Sequence, residues 1–106
     1  YRYRLHSRDL PGSPDLVFPS RKKVIFVHGC FWHRHPGCSR ARTPKSNTVY
    51  WAEKLIRNEA RDLRNQQELS AMGWDILIIW ECETMNPEVA KSRVVAFLEG
   101  VKSERD

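Results

Sequence analysis

Aromatic or aliphatic residues alternate with arginine over Tyr1-Arg2-Tyr3-Arg4-Leu5, a period of two that predicts an edge strand over residues 1–6 with its arginines turned to solvent. The chain opens in mid-strand, so a preceding segment is expected. Two prolines and a glycine in Asp9-Leu10-Pro11-Gly12-Ser13-Pro14 force a turn. Asp15-Leu16-Val17-Phe18 reads as a short strand, Pro19-Ser20-Arg21-Lys22 as a polar connector, and residues 24–28 as the next strand. So short a connector predicts an antiparallel hairpin. With the turn centred near Arg21 and Lys22, Asp15 falls opposite Val27 or His28 at the open end, where a carboxylate, an imidazole and a free carbonyl would meet.

Residues 29–44 carry no period and read as a loop that something must hold. Ala52, Leu55, Ile56, Ala60 and Leu63 then recur at helical spacing, which predicts a helix over residues 48–72, capped by Ser46 or Asn47 and stopped by Gly73. On its other face Lys54, Arg57, Arg61 and Arg64 interleave with Glu53, Glu59 and Asp62, the pattern of a solvated face with internal ion pairs. Residues 74–80 are apolar on both faces, as in a central strand covered on both sides. Asn86-Pro87 opens a last helix with Ala90, Val94, Phe97, Leu98 and Val101 as its buried stripe, and residues 102–106 are expected to fray. Strands and helices together predict an α/β fold.

Length and charge narrow the function. At 106 residues the chain supports one domain, residues 1–106, in which core and chemistry share elements. Its 18 Lys and Arg against 13 Asp and Glu give a net charge of +5, and the pI is about 9.4. That balance favours a polyanion, with nucleic acid ahead of a membrane because no long apolar span is visible. Three cysteines without a signal-peptide pattern argue for metal binding in a reducing cytoplasm rather than for a disulfide framework.

The candidate chemistry lies in Lys23 to Cys38, K-V-I-F-V-H-G-C-F-W-H-R-H-P-G-C, where an apolar run ends in a histidine and a glycine turns into a segment rich in Cys, His and aromatics. Cys30 and Cys38 with Cys82 and one of His33 or His35 make a four-ligand zinc set, closed and therefore structural. Asp15, His28 and the histidine left over suit phosphodiester hydrolysis. A carboxylate, a carbonyl and waters hold Mg2+, while an imidazole handles protons. Phe31 and Trp32, in a loop rather than on a periodic element, are placed to stack on bases or to wedge between base steps; Trp51 either joins them or belongs to the core.

The strings L-P-G-S-P-D (residues 10–15), V-I-F-V-H-G-C-F-W-H (24–33), E-K-L-I-R-N-E-A-R-D (53–62) and G-W-D-I-L-I-I-W-E-C (73–82) resemble the very short patch repair (Vsr) endonuclease family. The resemblance implies a restriction-endonuclease-like fold, a PD-(D/E)xK variant with a mixed sheet flanked by helices. It implies a Mg2+-dependent nick of one strand on the 5′ side of the thymine in a T:G mismatch left by 5-methylcytosine deamination. By the same resemblance Asp15 and the Val27 carbonyl bind Mg2+, and His28 and His33 are catalytic. Cys30, His35, Cys38 and Cys82 bind structural zinc, and Phe31 and Trp32 form the wedge, supported by Trp51. The implied partners are double-stranded DNA with a T:G mismatch and other mismatch-repair proteins, met by a cytoplasmic monomer without membrane contact. The family's N-terminal helical segment has no counterpart in these residues. Two other readings stay open: a zinc-stabilised DNA-binding module without catalysis, and a nuclease with a different DNA target.

Overall fold

The structure, a computed structural model, describes residues 2–100. Its elements are β1 (Arg4–Leu5), β2 (Leu16–Phe18), β3 (Lys23–His28), α1 (Thr48–Ala71), β4 (Asp75–Trp80) and α2 (Pro87–Leu98), with short 3-10 turns at Pro19–Arg21, Ser39–Ala41 and Glu81–Met85. The four strands form one mixed sheet in the order β1-β2-β3-β4, antiparallel through β3 and parallel between β3 and β4. A parallel partner needs a long crossover, and α1 supplies it.

Side-chain alternation divides the core into two layers. Val17, Val24 and Phe26 face α1 with Leu69, and Trp74, Ile76 and Ile78 pack beside them. Phe18, Ile25 and Ile79 face α2 with Leu98, joined by Leu16, Leu77, Val94 and Phe97. The last carbonyls of α2 are held by cations of the β2–β3 hairpin: Arg21 Nη1 donates to Leu98 O and Lys23 Nζ to Phe97 O, both at 2.8 Å. Met72 ends α1, and the amides of Gly73 and Trp74 return to the carbonyls of Ser70 and Leu69 with Gly73 at φ +89°, the left-handed turn that glycine adopts without strain.

Five expectations change. The edge strand shortens to Arg4–Leu5, and Leu5 is exposed along with Arg4. The β2–β3 hairpin is two residues tighter than expected, with Leu16 opposite Ile25 and Phe18 opposite Lys23, because Lys22 enters the left-handed region and returns its amide to Pro19 O. β4 lies at the sheet edge and β3 is interior. A strand reads apolar on both faces whenever helices cover both faces, whatever its place in the order. Asn47 precedes α1 but makes no side-chain cap, its backbone being left-handed. Finally, Ile56 and Leu63 are exposed; α1 buries Leu55 and Leu69 on a row that also carries Trp51, Asn58, Asp62 and Asn65. Val101 and residues 102–106 lie outside the described residues. Among the described residues no helix is long and apolar enough to cross a membrane.

Candidate functional site

The chemistry gathers where β3 ends, in two clusters either side of Trp80. β3 alternates sides, so His28 points to the α1 face after Val24 and Phe26, and it is buried. Gly29 then reverses the chain into a tight turn in which the His33 amide donates to Gly29 O at 3.1 Å and the His35 amide to Cys30 O at 2.9 Å. This turn places His33 over His28, the rings stacked at 3.8 Å between centroids and 9° between planes. Helix α1 contributes Asp62, whose Oδ2 lies 2.5 Å from His33 Nδ1. An ionised carboxylate can only accept, so Nδ1 carries a proton, and in the neutral ring Nε2 is the nitrogen that keeps a lone pair. Two ligands of one ion would stand about 3 Å apart at metal–ligand bonds of about 2.1 Å, so this contact is a hydrogen bond that orients the ring.

Asp15 stands across the cleft. With the ladder ending at Leu16, the Asp15 side chain rather than its backbone meets β3, and Oδ2 accepts from the Val27 amide at 2.6 Å. Its other oxygen lies 3.7 Å from Nδ1 of the exposed His6. Asp15, His28, His33 and Asp62 line one cleft of about 170 Å³ with Asn65 and the Gly12-Ser13 turn. Burial first, and then the neighbouring His33, lower the His28 pKa to about 4, so this imidazole is neutral near pH 7. His28 Nδ1 is buried and makes no hydrogen bond.

The second cluster closes on itself. One atom each from Cys30, His35, Cys38 and Cys82 lie within 4.8 Å of one another. The connection after β4 brings Cys82 in, its amide 3.4 Å from Cys30 Sγ and its own Sγ 3.5 Å from His35 Nδ1. Burial pushes the Cys82 thiol up to about 11, and the Cys30 and Cys38 thiols add to the shift; the Arg40 amide lowers Cys38. A bound cation would favour the thiolate at Cys82 against that burial, and the donor set suits zinc in kind, number and spacing. Trp80 separates the clusters, stacked on His35 at 4.1 Å and 10° and edge-on to His28 at 5.3 Å.

The aromatic residues form a third group. Trp51 lies 5.3 Å from Phe31 and 5.8 Å from Trp32, so it joins the pair rather than the core, and Trp32 is 46 % exposed. Tyr50 extends the group, its ring 5.1 Å from Trp51.

Every residue singled out from sequence therefore falls in one of these three groups, and His35 rather than His33 joins the cysteines. Sequence reasoning missed two residues. Asp62 was assigned to a solvated face, although its place on the Leu55–Leu69 row marks a carboxylate turned inward. His6 was read only as the end of a strand.

The family model for DNA mismatch endonuclease Vsr matches residues 1–40. A type II nicking enzyme of Xanthomonas oryzae pv. oryzae is 48 % identical over 93 % of this chain and 72 % of its own length. A type II nicking enzyme of Neisseria meningitidis is 38 % identical over 96 % of this chain and 72 % of its own. The DNA mismatch endonuclease Vsr of Escherichia coli is 37 % identical over 98 % of this chain and 70 % of its own. With relatives this similar across most of both chains, and with the cysteine–histidine and aspartate–histidine clusters built on one strand end, the chain belongs to the family of the DNA mismatch endonuclease Vsr.

Proposed function

We propose that this chain is a DNA mismatch endonuclease, a single restriction-endonuclease-like domain of the PD-(D/E)xK type that works as a monomer in the cytoplasm. It nicks one strand on the 5′ side of the thymine in a T:G pair left by 5-methylcytosine deamination. The observation that carries this reading is the convergence of Asp15, His28, His33 and Asp62 on one open cleft beside an exposed aromatic group.

Hydrolysis joins a water oxygen to phosphorus as the bond to the leaving oxygen breaks, so one proton must leave the attacking water, while the leaving oxygen takes its proton from solvent. His33 is built to take the first. Asp62 holds Nδ1, which leaves Nε2 free to accept, and the carboxylate stabilises the imidazolium that forms. His28, neutral and packed against His33, holds that ring's orientation and presents no positive charge to compete for the base. Asp15 and the Val27 carbonyl would hold Mg2+, because a partly exposed carboxylate already fastened to the Val27 backbone is a preorganised hard-oxygen donor. When bound, Mg2+ supplies charge neutralisation on the phosphate and a polarised water. Cys30, His35, Cys38 and Cys82 would hold zinc, which ties the loop to β3 and so shapes the turn that positions His33.

Phe31, Trp32 and Trp51 wedge between base steps next to the mismatch. A T:G pair costs less to unstack than a matched pair, so deformation energy adds to selectivity. The test is to incubate the protein with Mg2+ and either a duplex holding one T:G pair in a methylation-site context or its matched counterpart. Nicking of the mismatched duplex on the thymine strand is expected. Binding without nicking would instead identify a zinc-stabilised DNA-binding module, and equal nicking of both would identify a nuclease with another target.

A further inference from the structure

The row that α1 turns inward is preceded, residue by residue, by a second row of different chemistry. Tyr50, Lys54, Arg57, Arg61 and Arg64 each stand one position before Trp51, Leu55, Asn58, Asp62 and Asn65. A one-residue step turns about 100° around a helix, so the second row runs along one flank of the inward face for its whole length. Arg57, Arg61 and Arg64 are exposed, and Lys54 is half-buried. The internal ion pairs expected for this face do not form. Among the described residues no carboxylate pairs with any of the four cations, although Glu53 and Glu68 lie within a turn of the row. Glu59 pairs instead with Arg34, at 3.6 Å.

The row is tied to the aromatic group at one end. Lys54 Nζ stands 5.8 Å over the Trp32 ring and 6.0 Å over Tyr50. Asn58 Nδ2 donates to Trp32 O at 3.3 Å, and Arg61 Nη2 donates to Asn58 Oδ1 at 2.9 Å. Farther along, Arg61 and Arg64 flank Asp62 and Asn65, which line the cleft. From Lys54 to Arg64 the helix rises about 15 Å, enough to pass several phosphates of one strand. Unpaired cations at regular spacing, beginning at a stacking surface and following the rim of a phosphodiester site, match a polyphosphate backbone better than any discrete anion.

We propose that Lys54, Arg57, Arg61 and Arg64 form a track for the phosphates of one DNA strand, leading from the aromatic wedge along the cleft. This rests on the DNA reading above and adds to it a surface that binds without reading sequence. Such contacts fix position, whereas selectivity for the mismatch resides in the wedge and the cleft.

The test is the salt dependence of binding to matched and T:G duplexes, followed by fluorescence anisotropy without Mg2+. Each phosphate contact contributes about 0.9 to the slope of log K against log salt. Arg57→Gln, Arg61→Gln and Arg64→Gln combined should lower the slope by about 2 to 3 and weaken both duplexes by the same factor, which leaves the mismatch preference intact. The corresponding lysine triple should keep the parent slope, since a phosphate is met by any point charge, and Lys91→Gln on α2 should leave it unchanged. A parent-like slope in the folded glutamine triple overturns the track while leaving the endonuclease reading untouched. A parent protein that binds DNA without preferring or nicking the T:G duplex defeats that reading and not the track.

Discussion

The two clusters at the end of β3 draw on the same short segment and on the same residue type, histidine, yet they differ in what they leave open. The sulfur-rich cluster uses every donor it has: three thiols and His35 face one another within 4.8 Å. Three thiolates and an imidazole would complete a tetrahedral zinc shell and leave no position for substrate. The cleft on the other side of Trp80 is lined by carboxylates, imidazoles and amides around about 170 Å³ of open space. Its donors hold each other in pairs, Asp62 with His33 and Asp15 with the Val27 amide, and each pair keeps free lone pairs toward the cleft. The difference teaches that donor type and closure, rather than proximity in sequence, separate a folding element from a reacting one.

The sharpest way to break the comparison is to empty the closed cluster. Chelation, or Cys82→Ala, should lower stability by several kcal/mol and loosen residues 29–44, since metal binding is folding energy and the loop's other ties, Phe31 on Trp51 and His33 on Asp62, hold only its first turn. Circular dichroism and tryptophan emission during chelator titration read this directly, and a chain that keeps its full structure without metal would remove the closed cluster's structural role. In the open cluster the same degree of damage should spare the fold. Asp15→Asn is expected to cut nicking by about 10³-fold or more with affinity for the mismatched duplex nearly unchanged, as measured by nicking assays beside binding curves. Unchanged cutting would take Asp15 out of the mechanism.

Asp62→Asn sharpens the assignment of His33. Removing the carboxylate that orients the ring should cost about 10²-fold in kcat with KM little altered, whereas a merely structural Asp62 would show its loss in the melting temperature instead. His28 provides a pH signature that the closed cluster does not share. Its folded pKa, about 4, lies below the unfolded value of 6.5, so the unfolded chain binds more protons between those values. Stability is therefore fully present above pH 6.5 and falls as pH drops toward 4, by roughly 3 kcal/mol in all. Denaturant unfolding at pH 7, 5.5 and 4 should show this loss shrinking in His28→Leu; the difference between the two proteins separates His28 from acid release of the neighbouring metal.

The smallest effect concerns the connection that delivers Cys82. Glu83 accepts from the Trp80 amide at 2.9 Å and pairs with Arg93. Its pKa is lowered despite burial, which acts the other way, because the Trp80 amide and Arg93 favour the charged form. Its contribution is present above the ordinary carboxylate value of 4.5 and is lost as pH falls through the lowered one. Glu83→Gln should cost about 1 kcal/mol at pH 7 and weaken zinc retention without changing the rate of nicking by the zinc-loaded protein.

Much of this architecture is legible along the chain because it depends on short-range chemistry. The helix over residues 48–72, the start of the last helix at Asn86-Pro87 and the strand ending in His28 follow from period and punctuation, as does the turn at Pro11-Gly12. Donor types did as much for the site, since cysteine beside histidine speaks for soft-metal ligation wherever the backbone goes. The segment from Val24 to His33 also carries the family resemblance.

What eluded the sequence depends on where separate elements meet. The hairpin register turned on one left-handed residue, Lys22, which a polar connector does not announce. The edge position of β4 could not be told from a central one, because covering helices and flanking strands leave the same apolar trace. Ile56 and Leu63 recur at helical spacing as faithfully as Leu55 does, yet the helix settles on the Leu55–Leu69 row, since only that row sets Asp62 against His33 and Asn65 against the Gly12 turn. Periodicity specifies that a helix has faces. Which face turns inward is chosen by the sum of contacts with distant partners, and those contacts exist only once the chain has folded.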